Sequence, residues 1–316
     1  MKLYQWRGSE RNFGDELNSV LWPRLLPGAF DDDPGTLFLG VGSILDGRHP
    51  ATARKLVAGA GYGGYGGYEA PAVLDRHWDV RWVRGPRTAR LLGLSPLLGL
   101  GDPAVLLPLV GVTENVRGSA VGFMPHFESA GRGAWDRVAA ACGVTPIDPR
   151  DDPLVILGAI AGCRLLISEA LHGVIAADAM RVPWIAIEPL AAVHRPKWHD
   201  WAETVGVSVA FRRLPPSSLP EWLHVSPLAA RHTGRSLVRR HETALRGVGL
   251  AGFIDRAAAA LGHAAGAEPQ LSAATDLQCC QDRMLQAVAA LRRDLCSRPA
   301  SCAGAITPLR TTCLAG

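Results

Sequence analysis

The sequence predicts an α/β protein: two Rossmann-like doubly wound domains facing each other across a cleft, with extra helices at the C-terminus. Three observations carry that reading. Short apolar runs of strand length alternate with segments of helical period, the pattern of parallel strands joined by right-handed crossovers. The alternation breaks off at residues 108–118, "PLVGVTENVRG", and starts afresh at "SAVGFMPHF". A chain of 316 residues, 48% hydrophobic and 20% charged, is also long enough for two cores and too apolar to be disordered. The expected division is 1–115, 116–265, and a helical or partly disordered tail at 266–316.

In the first domain "KLYQW" alternates as a strand, and the polar loop after it leads into a helix on which Leu17, Val20, Leu21, Leu25 and Leu26 recur at helical spacing. "TLFLGVGSIL" is a continuous apolar strand running into glycine-rich backbone. "DVRWVRGPRTARLLGL" gives a strand and, past Gly85 and Pro86, a short Arg-rich helix. Between them "GAGYGGYGGYEAP" is too rich in glycine for either element and reads as a loop beside a site. The second domain reads as strand 119–124, helix 133–142, strand 144–148, helix 152–162, strand 164–168, helix 173–181 and strand 183–187, then helices within 233–265 and at 275–297. This tandem architecture resembles that of GT-B glycosyltransferases, in which ligands collect in the cleft at the carboxyl ends of the strands.

Composition excludes several classes. A net charge of +4, spread along the chain, is too diffuse for nucleic acid and suits an anionic small substrate. Only Lys2, Lys55 and Lys197 among the basic residues are lysines, so most of the positive charge sits on guanidinium groups. No apolar run reaches the length of a membrane span, and "MKLYQWRGSERNF" lacks a signal-peptide core, so a cytoplasmic location is expected. The seven cysteines show neither CxxC pairs nor histidines at ligand spacing, which argues against zinc and against a disulfide framework; no metal is expected at the site.

Several stretches carry polar chemistry at expected strand ends. In "RNFGDELN", Asn12, Asp15 and Glu16 suit a helix start, while Gly14 also lets the backbone approach a substrate to which Asn12 and Asp15 present polar groups. "GVGSI" and the Tyr-rich loop are turns or substrate loops without a dinucleotide fingerprint. Arg84 lies at a strand end and is a candidate to face the cleft. His126 follows Pro125 at the end of the second domain's first strand, either as a structural residue or as a ligand contact. In "ISEALHGVIAADAM" the buried strand ends at Ser168 and Glu169, and a helix opens at His172 and Gly173; its free N–H groups form an anion site unless Ser168 or Glu169 caps it. The loop "HRPKWHDW" gathers His194, Arg195, Lys197, His199 and Asp200, which fit either a solvated turn or ligand contact.

Taken in order, "NFGDELN", "RGPRT" with "GDPAVLLP" after it, "MPHF", and "SEALHGVIAADAMRVPWIAI" followed by "KWHDW" resemble the polysaccharide pyruvyl transferases, in overall look the succinoglycan-type ketal pyruvyltransferases of exopolysaccharide biosynthesis. The resemblance runs from about residue 3 to residue 202. It implies transfer of a pyruvyl group from phosphoenolpyruvate onto two hydroxyls of a terminal hexose of a lipid-linked oligosaccharide, with no nucleotide or redox cofactor. It further implies peripheral association with the inner face of the inner membrane, for which "RHTGRSLVRRHETALRG" is a moderate candidate segment. Relatives carry Arg-Leu-His; here Leu171 and His172 match and Ala170 stands at the Arg position, leaving Arg84, Lys197 or Arg195 to supply the cation. The roles that follow are His172, Ser168 and Gly173 on the donor phosphate, Glu169 in acid–base work or orienting His172, and Asp15 with Asn12 on the acceptor hydroxyls. A nucleotide-sugar glycosyltransferase and a non-catalytic scaffold acting through the 266–316 tail are the other classes open to the same architecture.

Overall fold

The structure, a computed structural model, describes residues 1–64, 70–112, 118–190, 194–226, 245 and 247–297. It is a mixed α/β fold with two parallel sheets. The first has the order β1 (Lys2–Leu3), β2 (Thr36–Leu39), β3 (Arg54–Ala58), β4 (Trp78–Trp82), every neighbour parallel. The second comprises β5 (Ala120–Met124), β6 (Thr145–Pro146), β7 (Cys163–Ser168), β8 (Trp184–Ile187) and β9 (Phe211–Arg212), in the order β6-β5-β7-β8-β9. The chain leaves β5 toward β6 and leaves β7 toward β8, so connections diverge between two adjacent strands. Open α/β sheets bind ligands at such a divergence, beyond the carboxyl ends.

Helices cover both faces of the second sheet, which explains why its strands read as continuous apolar runs rather than as alternation. Leu165 and Ile167 of β7, with Ile185 and Ile187 of β8, point into an outer core with Trp135, Val138 and Leu261. The intervening Leu166, Trp184 and Ala186 point into a core shared with the first sheet. That shared core joins α1 (Phe13–Leu25), the 3-10 helix Pro103–Val110, α5 (Pro153–Ala161) and α6 (Leu171–Ala179). The remaining elements are α2 (Pro86–Leu91), α3 (Phe127–Arg132), α4 (Trp135–Ala141), α7 (Arg195–Ala202), α8 (Leu219–Val225), α9 (Leu250–Ala265) and α10 (Ala274–Cys296).

Several expectations change. "RKLVA" forms β3 although its two leading cations mask it; Lys55 is buried and its ammonium is satisfied by the Ala51 carbonyl at 3.0 Å. "HRPKWHDW" is the N-cap and nearly all of α7 rather than a loop, because Trp198, Trp201 and Ala202 bury one helical face. The helix expected at 133–142 begins at Trp135, after a separate short α3. At the C-terminus α10 buries Leu277, Cys280, Met284, Val288 and Leu291 in the shared core and donates from Arg292 to the Leu25 carbonyl at 2.6 Å, so it packs against the chain's first helix. Residues 65–69 of the Tyr-rich stretch, 113–117 of the expected linker, 298–316 of the tail and nearly all of the basic segment 231–247 lie outside the described residues. No helix among the described residues is long and apolar enough to cross a membrane.

Candidate active site

The site forms where β5 and β7 end side by side, Met124 paired with Ser168. After β7 the chain stays extended through the N-cap residue Ala170, whose side chain cannot accept a hydrogen bond, and α6 starts at Leu171 with its first N–H groups uncapped by any side chain. Facing it, α1 starts at Phe13 and Gly14. A Cβ on Gly14 would collide with Nδ1 and Cε1 of His172, so only glycine lets α1 approach the imidazole this closely. The other ring nitrogen, Nε2, lies 3.4 Å from Oδ2 of Asp102. Asp102 is fully buried and caps the 3-10 helix, its Oδ1 accepting from Ala104 N–H at 3.0 Å. Neither His172 Nε2 nor Asp102 Oδ2 has a hydrogen-bond partner among the described residues, so each faces only the other.

His172, Ala170 and Leu171 share a recess with Asn12, Gly14, Asp15, Ser43, Met124, His126 and Lys197. It opens into a cavity of about 320 Å³ that Trp6, Arg48, Phe127, Arg132 and His194 also line. Loops of both sheets therefore contribute. Asp15 is buried and accepts from Asn12 Nδ2 at 2.6 Å. Burial pushes its carboxyl up to about 6, opposed by His172 and the Asn12 hydrogen bond. Burial, reinforced by the Arg84 cation, pulls the Lys197 ammonium down to about 8. A carboxyl and an amine brought toward neutrality in one recess are suited to proton transfer at physiological pH.

Other expected residues lie beneath this lining. Arg84 is buried, with Nε 3.1 Å from Asp200 and with Nη1 and Nη2 donating to Ser43 Oγ at 2.7 Å and the Tyr62 carbonyl at 2.9 Å. Asp200 also accepts from the backbone N–H groups of Arg87 and Thr88, which ties the start of α2 to α7. Arg195 pairs with Glu188. Ser168 accepts the Ala170 N–H at 3.0 Å and stays within the turn. A Cβ on Gly173 would lie 2.7 Å from Met124 Sδ and 2.8 Å from Ser168 Oγ, so this glycine lets α6 pack on the strand ends.

Glu169 does not pair with His172. Its carboxylate accepts from His126 N–H at 2.9 Å, Ser129 Oγ at 3.1 Å and Leu190 N–H at 3.1 Å, tying the ends of β5 and β8 to that of β7, and burial raises its pKa. Glu169 precedes the N-cap, so the three-residue spacing that suggests a common helical face does not apply. The partner of His172 is Asp102, which sequence reasoning passed over; its signal was an Asp-Pro step opening an apolar run, and that reads simply as a cap. Spacing also could not show that His126, Glu128 and His194 converge at the cavity wall, each offering a ligand atom within 4.8 Å of the others. The hydrogen bond from His194 brings the Glu128 carboxyl down to about 2, and burial lowers both imidazoles below their ordinary range, His126 the further.

Residues 67–189 match the family model of the polysaccharide pyruvyl transferases. Over 224 residues the chain is 42% identical to the succinoglycan biosynthesis protein ExoV of Rhizobium meliloti (strain 1021), an alignment covering 70% of each chain. No solved structure matches the chain significantly.

Proposed function

The chain belongs to the polysaccharide pyruvyl transferase family, and on that premise we propose that it moves pyruvate from phosphoenolpyruvate onto a terminal sugar of an exopolysaccharide repeat unit as a cyclic ketal. The observation that carries the reading is the single recess in which Asp15, His172 and Lys197 meet the uncapped start of α6. The donor phosphate sits against the α6 N–H groups, which supply hydrogen bonds and the positive end of the helix dipole. Lys197 shares the recess with Ala170 and provides the cation that relatives carry at that position.

An acceptor hydroxyl adds to C2 of phosphoenolpyruvate while C3 takes a proton and becomes a methyl group. Asp15, oriented by Asn12, takes the hydroxyl proton, and His172, held by Asp102, delivers a proton to C3. The second hydroxyl then displaces phosphate at C2, its proton leaving with the phosphate. Lys197 and the helix start stabilise the charge that collects on the leaving group. In this reading the two parallel sheets are the two halves of a GT-B-like enzyme, acceptor on residues 1–115 and donor on 116–265, and a lipid-linked acceptor brings the enzyme to the inner face of the membrane.

The test incubates purified protein with phosphoenolpyruvate and a hexose-terminated acceptor, with a panel of nucleotide sugars in parallel. Release of one phosphate per ketal formed is the expected result. Thermal stabilisation and turnover by a nucleotide sugar, with none by phosphoenolpyruvate, would overturn the assignment.

A further inference from the structure

We propose that His126, Glu128 and His194 bind one divalent transition-metal ion, of the zinc or cobalt class, with its open coordination positions toward the cavity that holds Asp15 and Lys197. The geometry is the main support. His194 Nε2 lies 3.5 Å and His126 Nδ1 3.8 Å from the same Glu128 oxygen. Metal–ligand bonds of about 2.0–2.2 Å separate neighbouring ligand atoms in a tetrahedral site by roughly 3.4 Å. An ion between these three atoms therefore needs a few tenths of an ångström of closure on each nitrogen–oxygen edge, and up to about 1.4 Å between the two imidazole nitrogens, which lie within 4.8 Å of each other.

The ligands are held by the fold rather than by one flexible loop. His126 is the N-cap residue of α3, and its backbone N–H is fixed by Glu169 at 2.9 Å. Glu128 lies in the first turn of α3, and His194 is the N-cap residue of α7, far along the chain from both. The two imidazole rings lie 4.5 Å apart at 33°, and both residues are under a tenth exposed. Burying two imidazoles and an ionised carboxylate together carries a desolvation cost that an ion would offset.

Two imidazoles and one carboxylate leave coordination positions for solvent or substrate, as at catalytic rather than structural metal sites. The nitrogen-rich donor set, without thiolates, selects imidazole-binding metals over magnesium or calcium. Two protein cations already face the same carboxylate. Arg132 Nη1 stands 3.7 Å from Glu128, and Lys197 faces the same cavity, so an entering ion must compete with two cations for one anion. The site is consequently expected to favour ions that draw their affinity from the imidazoles.

The proposal does not depend on the identity of the donor, and its test reads metal rather than turnover. Chelator-treated, dialysed protein is titrated with Zn²⁺ and Co²⁺ by calorimetry, the bound metal is counted by atomic emission, and the Co²⁺ form is followed through its visible absorption bands. The expected result is one ion per chain and a low-coordinate Co²⁺ spectrum, with affinity lowered at least roughly 100-fold in Glu128→Gln and in His194→Ala, beyond the 10–100-fold typical of losing an outer partner. Far-UV circular dichroism on each variant confirms that the fold is retained, and Glu128→Gln preserves side-chain shape. Absence of stoichiometric binding by the wild-type chain, or undiminished binding by the folded variants, would overturn the proposal and leave the cluster as a buried hydrogen-bonded ion pair.

Discussion

Asp102 and Glu169 are both buried carboxylates beside a histidine, and they spend their oxygens differently. Glu169 accepts from three donors, two of them backbone N–H groups, and so fixes the path of the chain around His126 and Leu190. Asp102 gives one oxygen to the Ala104 N–H and turns the other toward the His172 ring. A carboxylate whose acceptor capacity is consumed by backbone holds a loop in place; one with an oxygen left for an imidazole orients that ring. The first should report in stability and the second in turnover.

The largest expected effect tests the ring itself. His172→Ala removes the group assigned to proton delivery, and ketal formation should fall roughly 10³–10⁴-fold at saturating phosphoenolpyruvate while circular dichroism and melting temperature stay near wild type. Retention of wild-type turnover would exclude His172 from the chemistry. Asp102→Asn comes next. Asparagine caps a helix about as well as aspartate, so stability should change little, whereas kcat should drop about 10²–10³-fold with a small change in KM for the donor. A loss of melting temperature without a loss of kcat would collapse the distinction between the two carboxylates.

Glu169→Ala should show the reverse pattern. It strands the His126 and Leu190 N–H groups and the Ser129 hydroxyl in a buried setting, at a cost of roughly 2–4 kcal/mol. Urea titration would read this as a lower midpoint at unchanged m-value, with kcat of the folded fraction within about tenfold of wild type. A folded Glu169→Ala variant of wild-type stability and negligible turnover would return Glu169 to the chemical role that its sequence position first suggested.

Much of this was legible where neighbours in sequence are neighbours in space. The apolar strand "CRLLIS", the helix that follows it and the expected divergence at the strand ends follow from local pattern, and they put His126 and His172 at the recess. Local pattern misled at α7, where charged residues hid the Trp198, Trp201 and Ala202 face that buries the helix and turns Lys197 into the recess. It was blind to pairings fixed only by packing: Asp102 with His172, Arg84 with Asp200, and Glu128 with His194. In each pair one partner has an adequate local explanation, as a cap, a strand-end cation or a helix-start acid, so nothing in its neighbourhood signals the second role.

Asp15 combines both kinds of behaviour in one residue. Burial disfavours the anion and pushes its carboxyl in the folded chain up to about 6 from the ordinary 3.8. Between those values the native state binds more protons than the unfolded state, so this group's contribution to stability is complete below about pH 4 and is lost as pH rises through about 6. Two units correspond to roughly 3 kcal/mol, a figure in which the compensation by His172, Asn12 and Lys197 is already included. Asp15→Asn should therefore flatten the decline in stability between pH 4 and pH 7 and leave the variant more stable than wild type at pH 8. Because Asp15 is assigned the hydroxyl proton, the variant should also lose roughly 10²–10⁴-fold in turnover, together with the rise of turnover through pH 6 that a base of this pKa imposes. Denaturant curves at pH 4, 6 and 8, paired with a pH–rate profile, separate the two consequences. Parallel stability curves for wild type and Asp15→Asn would mean that the carboxylate is better solvated than its enclosure implies, and would remove the reason for its titrating near neutrality.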